Sequence, residues 1–196
     1  MRLKKKEVIE RLLNEQVVAL PTDTVYGLAA ILSDNAMEAL IKIKERPPEK
    51  PFVVQLPSVE LIRPLLPKKV PGFEELAAAF WPGTLTVVLP IIAGCLPHYH
   101  EQAAFRVPAK PVLLEILEKT GPLAVPSANK SGQSAATCAE DVESAFGSDF
   151  PLLDDGPSTS SLPSSIIAYS EKDGQAQWKL LRKGVLSEKE IFSVLS

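Results

Sequence analysis

Three cationic side chains, Lys44, Arg46 and Lys50, lie within seven residues on the proline-rich segment Lys44-Glu-Arg-Pro-Pro-Glu-Lys-Pro. Pro47 biases the residue before it towards extended backbone, in which side chains two residues apart point to the same side. Cations held on a stiff segment lose little rotamer freedom when they bind a phosphate group. The segment therefore favours phosphate binding, with a solvated helix end as the alternative interpretation.

Hydroxyl-rich loops at the ends of two apolar strands would supply neutral donors and acceptors. Thr22 and Thr24 share one side of an extended chain, and Gly27 leaves room for a ligand close to the backbone. Ser127 and Asn129 have the same spacing at the carboxyl end of a strand, where α/β sheets place ligands. A tight turn at a strand edge is the alternative interpretation of either loop.

Arg106 interrupts an otherwise apolar strand in the segment Phe105-Arg-Val-Pro. A guanidinium group at a buried or cleft-lining position needs an anionic partner, which either the protein or a ligand can supply. An internal salt bridge and an anionic substrate therefore explain this arginine equally well.

Several common kinds of site have no signature in this sequence. It contains neither a GxxxxGKS/T phosphate loop nor a dinucleotide-binding glycine fingerprint. His98 and His100 lack an evident third ligand nearby, so no metal centre is expected. No serine lies in a nucleophile elbow, and two histidines are too few to indicate a hydrolase triad.

Length and composition fit one globular domain over residues 1–196. The formal net charge of −3 shows no sequence-wide basic excess, so nucleic-acid binding would need a local positive face. Cys95 and Cys138 have no CxxC spacing, which predicts reduced thiols in a cytoplasmic protein. No apolar run approaches the roughly 18 residues of a membrane span, and no membrane partner is expected. The charged residues from Glu7 onward exclude a signal peptide.

The elements that must position these side chains follow from hydrophobic periodicity and from capping and turn signals. Helices are predicted over 3–15, 34–44 with Asp34 as its cap, 58–64, 71–80 and 111–119, and capping boxes at Thr137–Glu140 and Ser187–Glu190 predict two more. Strands are predicted over 17–20, 52–56, 84–89, 104–107, 123–125, 151–153, 165–169 and 176–181, the last two as a hairpin. Because helices and strands do not alternate strictly, the fold class is α/β with a twisted mixed sheet flanked by helices.

Six motifs occur in the order found in YrdC-like threonylcarbamoyl-AMP synthases, so the chain resembles that family from about residue 17 to residue 186. The motifs are Thr22-Asp-Thr-Val-Tyr-Gly-Leu, Lys44-x-Arg-Pro with Lys50-Pro, Trp81-Pro-Gly-Thr-Leu-Thr, Arg106-Val-Pro, Pro126-Ser-Ala-Asn-x-Ser-Gly and Leu181-Arg-x-Gly. Any one of them is weak, but six in order form a strong signal. The chain is similar to the short form, without the extra C-terminal domain of some longer members.

The resemblance implies a YrdC-like fold with a large positive concave cleft. It implies a cytoplasmic nucleotidyltransferase that makes L-threonylcarbamoyladenylate and pyrophosphate from L-threonine, bicarbonate and ATP, with Mg²⁺ on the phosphates. A downstream transferase complex would pass the threonylcarbamoyl group to tRNA next to the anticodon. Some members of the family also bind double-stranded RNA in the cleft.

The resemblance also implies roles for individual residues, and no resident metal site. It assigns L-threonine binding to Thr24, Gln55, Arg106, Val125 (through its backbone) and Ser164. It assigns ATP binding to Arg46, Lys50, Ser127 and Arg182. It assigns the reacting centre to Lys44, Arg46, Ser127 and Asn129.

Five positions depart from the family pattern: Lys110, Ala135, Asp155, Ser165 and Ala168. An added carboxylate at Asp155 would repel a triphosphate unless it faces solvent or magnesium. These departures leave open a second hypothesis, a non-catalytic paralogue that binds double-stranded RNA or tRNA. A third hypothesis is a carbamoyl-adenylate module like that of hydrogenase maturation proteins, which usually lies among other domains.

Overall fold

The computed structural model describes residues 1–45, 52–130 and 132–195. Within these residues the chain forms one mixed sheet of ten strands. The strands are β1 Arg2–Leu3, β2 Val18–Leu20, β3 Gly27–Ile31, β4 Val53–Gln55, β5 Leu85–Pro90, β6 Gln102–Arg106, β7 Leu123–Ala124, β8 Leu152–Leu153, β9 Ser165–Lys172 and β10 Gln175–Arg182. Their order across the sheet is β1-β8-β2-β3-β7-β4-β6-β5-β9-β10. Pairs β1·β8, β2·β8, β4·β6 and β5·β9 are parallel and the others antiparallel, which confirms the predicted mixed sheet.

Helices flank the sheet at α1 Lys5–Leu13, α2 Asp34–Lys44, α3 Phe73–Phe80, α4 Pro111–Thr120, α5 Ala139–Phe146 and α6 Glu188–Phe192. Apolar spacing, together with capping and turn signals, located these helices in the sequence. The helix predicted from Ser58 to Pro64 is wrong, because the chain forms two 3-10 segments there, Val59–Leu61 and Arg63–Leu65. No helix among the described residues is long and apolar enough to cross a membrane.

The N-terminal end differs from the sequence-based expectation. Residues 3–15 were expected to form one helix, but Arg2–Leu3 pair in parallel with β8 and the helix begins only at Lys5. Arg2 donates to Glu140, Glu143 and Asp154, which fixes the strand against α5 and the end of β8. A two-residue strand has no periodicity of its own, so only its long-range partners define it.

Helix caps are predicted correctly in one case and wrongly in two. The Ser187–Glu190 capping box at α6 is confirmed. The cap of α2 is Ser33, whose side chain accepts from the backbone of Ala36, and not Asp34. The Thr137–Glu140 box is also wrong, because α5 begins at Ala139 and Thr137 donates to the Asp141 carboxylate.

The two faces of the sheet are covered differently, and this difference creates the site. One face packs along its length on the larger core cluster, which includes Leu40, Leu76, Val142 and Ile191 from α2, α3, α5 and α6. On the other face α1 and α4 cover only the β2-β3-β7 end, with Val18, Leu123, Leu12 and Ile116 in a second cluster. Gln55 pairs with both Leu123 and Arg106, so these three residues share that second face. The neighbouring strands β4, β6, β5 and β9 therefore leave a hollow beside the helices.

Candidate active site

The hollow encloses about 270 Å³ on the half of the sheet that α1 and α4 leave open. Strands β4, β5, β6, β9 and β10 form its floor and wall, and the loops after β2 and β7 close it. The charged side chains that line it, within the described part of the chain, are Arg106 and Arg182. The hydroxyl-bearing lining residues are Thr22, Thr24, Tyr26, Ser127 and Ser164.

The loop after β2 presents its hydroxyl groups as expected. The Thr22 and Thr24 hydroxyl oxygens lie 3.0 Å apart, and both side chains are buried. Thr22 donates to the carbonyl oxygen of Val25 and accepts from the backbone N–H of Thr24, so the loop is fixed by its own bonds. The Thr24 hydroxyl accepts from Arg106 at 3.0 Å, which connects this loop to β6.

Arg106 is 3% exposed and forms an internal salt bridge, in which its Nη2 lies 2.6 Å from Asp23 Oδ1. Its Nε donates to the carbonyl oxygen of Gly83 at 2.9 Å and its Nη1 to Thr24. Burial lowers the pKa of Arg106 and the Asp23 carboxylate opposes that shift; a guanidinium group stays protonated in proteins. Of its five N–H groups three have partners among the described residues, so two are left for a ligand in the hollow.

Gln55 carries an acceptor without a partner. It is 2% exposed at the end of β4, and its Oε1 has no hydrogen-bond partner in the described structure. A buried polar atom left unpaired costs about 1–3 kcal/mol. Because Gln55 lines the hollow beside Arg106, a donor group of a ligand would remove that cost.

The opposite wall is built around Ser164, just before β9. Its hydroxyl lies 2.8 Å from that of Thr86, and Arg182 donates to its carbonyl oxygen from Nε at 3.1 Å and from Nη2 at 2.9 Å. The Leu181-Arg-x-Gly motif is explained by packing, because a Cβ at Gly184 would collide with Pro163 and Ser164. The glycine lets β10 run close enough for Arg182 to reach Ser164.

The loop after β7 is tied to the end of α2 by Lys44. This lysine is 3% exposed, and its Nζ donates to the carbonyl oxygens of Ser127 at 2.7 Å and Asn129 at 2.5 Å. It also donates to Asn129 Oδ1 at 3.0 Å, and the Ser127 hydroxyl donates to the same oxygen at 2.6 Å. Glu45, in the left-handed conformation at φ 50°, ends α2 and pairs with Lys130 of the same loop.

The structure brings together most of the residues that the sequence singled out. Six of them line the hollow: Thr24, Gln55, Arg106, Ser127, Ser164 and Arg182. Lys44 and Asn129 lie one layer behind Ser127. Val125 is buried in the second core cluster and its backbone N–H donates to Val53, so it borders the site without lining it. Arg46 and Lys50 lie outside the described residues.

Three further residues have contacts that the sequence did not specify. Gly27 lines the hollow, and a Cβ there would lie 2.5 Å from Val125 Cγ1, so the glycine also makes room for the Val125 side chain. The Asp155 carboxylate, which would repel a triphosphate unless it faced solvent or magnesium, is exposed and pairs with Lys110 at 2.8 Å. Thr86 ends the Trp81-Pro-Gly-Thr-Leu-Thr motif but was given no role from the sequence, and its hydroxyl oxygen lies 2.8 Å from that of Ser164.

Neither histidine nor cysteine contributes to the hollow. His98 Nε2 lies 3.2 Å from Asp34 Oδ1, and both cysteines are free thiols. In the described part of the chain no three His, Cys, Asp or Glu residues are grouped as ligands for a metal ion.

Comparison with known proteins identifies relatives over nearly the whole chain. Residues 10–184 match the Sua5/YciO/YrdC family model, whose description is telomere recombination. A putative threonylcarbamoyl-AMP synthase of Mycobacterium tuberculosis is 37% identical over 185 residues, covering 92% of this chain and 83% of the relative. The threonylcarbamoyl-AMP synthase of Pyrococcus abyssi is 36% identical over 193 residues, covering 92% of this chain and 54% of the relative.

A solved structure agrees with these relatives. The crystal structure of P. abyssi Sua5 complexed with L-threonine superposes with a TM-score of 0.89 at 32% identity. The match covers 100% of this chain and 59% of that one, so this chain spans just over half the length of the P. abyssi protein.

Proposed function

The chain belongs to the Sua5/YciO/YrdC family, and on that premise we propose that it is a threonylcarbamoyl-AMP synthase. The reaction joins L-threonine, bicarbonate and ATP into L-threonylcarbamoyladenylate and releases pyrophosphate. The observation that carries the proposal is the meeting, in one hollow, of a buried arginine with spare donors and a buried glutamine with a spare acceptor.

The amino acid explains both of these incomplete groups. An α-amino acid carries a carboxylate that accepts hydrogen bonds and an amine that donates them, a few ångströms apart. The two remaining N–H groups of Arg106 would donate to the carboxylate, and Gln55 Oε1 would accept from the amine or from the threonine hydroxyl. The Thr24 and Ser164 hydroxyls complete the lining on either side.

The reaction then needs a neutral amine and a stabilised phosphate. Positive charge near the amine lowers its pKa, which frees the lone pair that forms the C–N bond with the bicarbonate carbon as water leaves. A carbamate oxygen attacks the α-phosphorus of ATP, and the bond to pyrophosphate breaks. Arginine and lysine side chains stabilise the charge that accumulates in that step; we assign this role to Arg182, Arg46 and Lys50.

We assign Mg²⁺ to the ATP phosphates, as part of the nucleotide substrate. Among the described residues no three His, Cys, Asp or Glu side chains are grouped as ligands, and phosphate oxygens and water are ligands that Mg²⁺ accepts. The product would leave for a separate transferase that modifies tRNA next to the anticodon, and we place the reaction in the cytoplasm.

Threonine-dependent release of pyrophosphate tests the proposal. The purified protein is incubated with ATP, Mg²⁺ and bicarbonate, and release is measured with and without L-threonine. We expect release only with threonine, and no release when bicarbonate is removed. Failure of the pure protein to release pyrophosphate under these conditions would contradict the proposal.

A matched pair of variants ties the activity to the hollow. Arg106→Lys keeps the charge but cannot reproduce three directed contacts, so kcat/KM for threonine should fall at least about 100-fold. Arg63→Lys is the control, because Arg63 forms an exposed pair with Glu74 away from the hollow. Equal activity of the two variants would remove Arg106 from the site.

A further inference from the structure

The Lys44 ammonium group is fully occupied inside the protein. A lysine has three protons and no lone pair, and three oxygen acceptors lie within 3.0 Å of its Nζ. Two are backbone carbonyls of the loop after β7 and the third is Asn129 Oδ1. The buried charge is thus compensated by the loop, and by its place in the last turn of α2, where a cation is favourable.

The orientation of the Asn129 amide is fixed from both ends. Its Nδ2 donates to the carbonyl oxygens of Lys130 at 2.9 Å and Gln133 at 2.7 Å. Carbonyl oxygens only accept, so the NH₂ group must face them. The amide oxygen therefore faces Lys44 and can act only as an acceptor.

This orientation determines what the Ser127 hydroxyl can do. Its oxygen lies 2.6 Å from Asn129 Oδ1, and of these two atoms only the serine can donate. A serine hydroxyl has a single proton. Since that proton is directed to Asn129, Ser127 presents only lone pairs to the hollow that it lines.

We propose that Ser127 acts as a hydrogen-bond acceptor for an N–H or O–H group of a substrate, and that Lys44 is a positioning residue that enforces this role through Asn129. The inference rests on the proposed function and deepens it, because it states that a hydrogen-bond donor of a substrate, and not a phosphate oxygen, contacts this serine. A phosphate oxygen carries no proton to donate, so it could not form a hydrogen bond with a serine oxygen that presents only lone pairs. Contact with a phosphate would require Ser127 to abandon Asn129, at the cost of a buried hydrogen bond.

Two sources can supply the donor: the amine or hydroxyl of threonine, and the sugar hydroxyls or the amino group of the nucleoside. Dissociation constants are measured calorimetrically for L-threonine, adenosine and pyrophosphate, with the wild-type protein and Ser127→Ala. Ser170→Ala, an exposed position on β9, is the matched control. We expect Ser127→Ala to raise the dissociation constant of threonine or adenosine at least about fivefold, the effect of one neutral hydrogen bond. The dissociation constant of pyrophosphate should change by less than twofold.

The same experiment separates the possible failures. If Ser127→Ala weakens pyrophosphate as much as the other ligands, the serine donates to phosphate and the inference is wrong. If it changes none of the three, Ser127 contacts no substrate and the inference is also wrong, while the proposed function stands. A wild-type protein that binds none of the three ligands refutes the proposed function and the inference together.

The positioning role of Lys44 has its own test. Lys44→Met removes the three donors, and Lys42→Met, exposed on the same helix, is the control. We expect Lys44→Met to weaken binding of the same ligand that Ser127→Ala affects. The dissociation constant of the double variant for that ligand should lie within twofold of the value for Ser127→Ala alone. Additive losses, or a loss confined to pyrophosphate, would show that Lys44 acts independently. Should Lys44→Met not fold, Asn129→Ala breaks the same connection, with the same expected and contradicting results.

Discussion

Removal of the Asp23 carboxylate should destabilise the protein through Arg106. Loss of one partner of a buried ion pair costs about 3–5 kcal/mol, because the other charge stays buried. Two observations favour the lower end for Asp23→Ala. Arg106 keeps its bonds to Gly83 and Thr24, and Asp23 Oδ2 is itself buried without a partner in the described structure. We therefore expect a loss of about 3 kcal/mol, which for a domain of this size lowers the unfolding midpoint by roughly 6–12 °C.

Thermal unfolding followed by circular dichroism at neutral pH measures this change. Glu74→Ala, which breaks the exposed pair with Arg63, is the control and should shift the midpoint far less. The double variant Asp23→Ala/Arg106→Met should unfold at a higher temperature than Asp23→Ala alone, because it leaves no buried charge. A small change in the unfolding midpoint of Asp23→Ala would refute the reasoning. So would a double variant whose loss of stability equals the sum of the losses caused by the two single substitutions.

Three further predictions concern single residues that line the hollow or support its wall. Gln55→Met should weaken threonine binding at least about tenfold in calorimetry without lowering the unfolding midpoint, since it removes an unpaired buried acceptor; a destabilised variant would contradict this. Burial, with a smaller effect of Asp154, raises the pKa of Tyr26 to about 12. The phenol of Tyr26 should therefore stabilise the fold fully below about pH 10, the ordinary pKa of tyrosine, and progressively less towards pH 12. The difference in unfolding midpoint between the wild type and Tyr26→Phe should narrow over that range. A constant difference would contradict the raised pKa. Gly184→Ala should lower both the midpoint and turnover, because its methyl group must displace Pro163 and Ser164; normal turnover would show that Ser164 need not be held in place.

Local patterns predicted much of the fold. Helix α2 was predicted to run to about Lys44, where it ends, because its apolar residues recur at helical spacing, and only its cap was placed one residue too late, at Asp34 instead of Ser33. The β9–β10 hairpin was predicted from two strand-forming segments around Asp173-Gly174, although both strands are longer than expected. Strand β1 was missed, since it exists only through its pairing with β8.

The site was predicted as a set of residues and not as a set of contacts. The family resemblance grouped Thr24, Gln55, Arg106, Ser127 and Ser164, and the structure places them around one hollow. Sequence could not decide whether Arg106 has an internal partner, because Asp23 is 83 residues away and meets it only through the sheet. The direction of the Lys44 side chain was equally undetermined, since its acceptors belong to a distant loop.

Incorporation of labelled carbon tests the central claim most directly. The protein is incubated with ¹³C-bicarbonate, L-threonine, ATP and Mg²⁺, and the adenylate product is analysed by mass spectrometry. We expect L-threonylcarbamoyladenylate with one ¹³C atom, formed only when all three substrates are present. Pyrophosphate release without a ¹³C-labelled adenylate would contradict the claim that this hollow joins an amino acid, bicarbonate and a nucleotide.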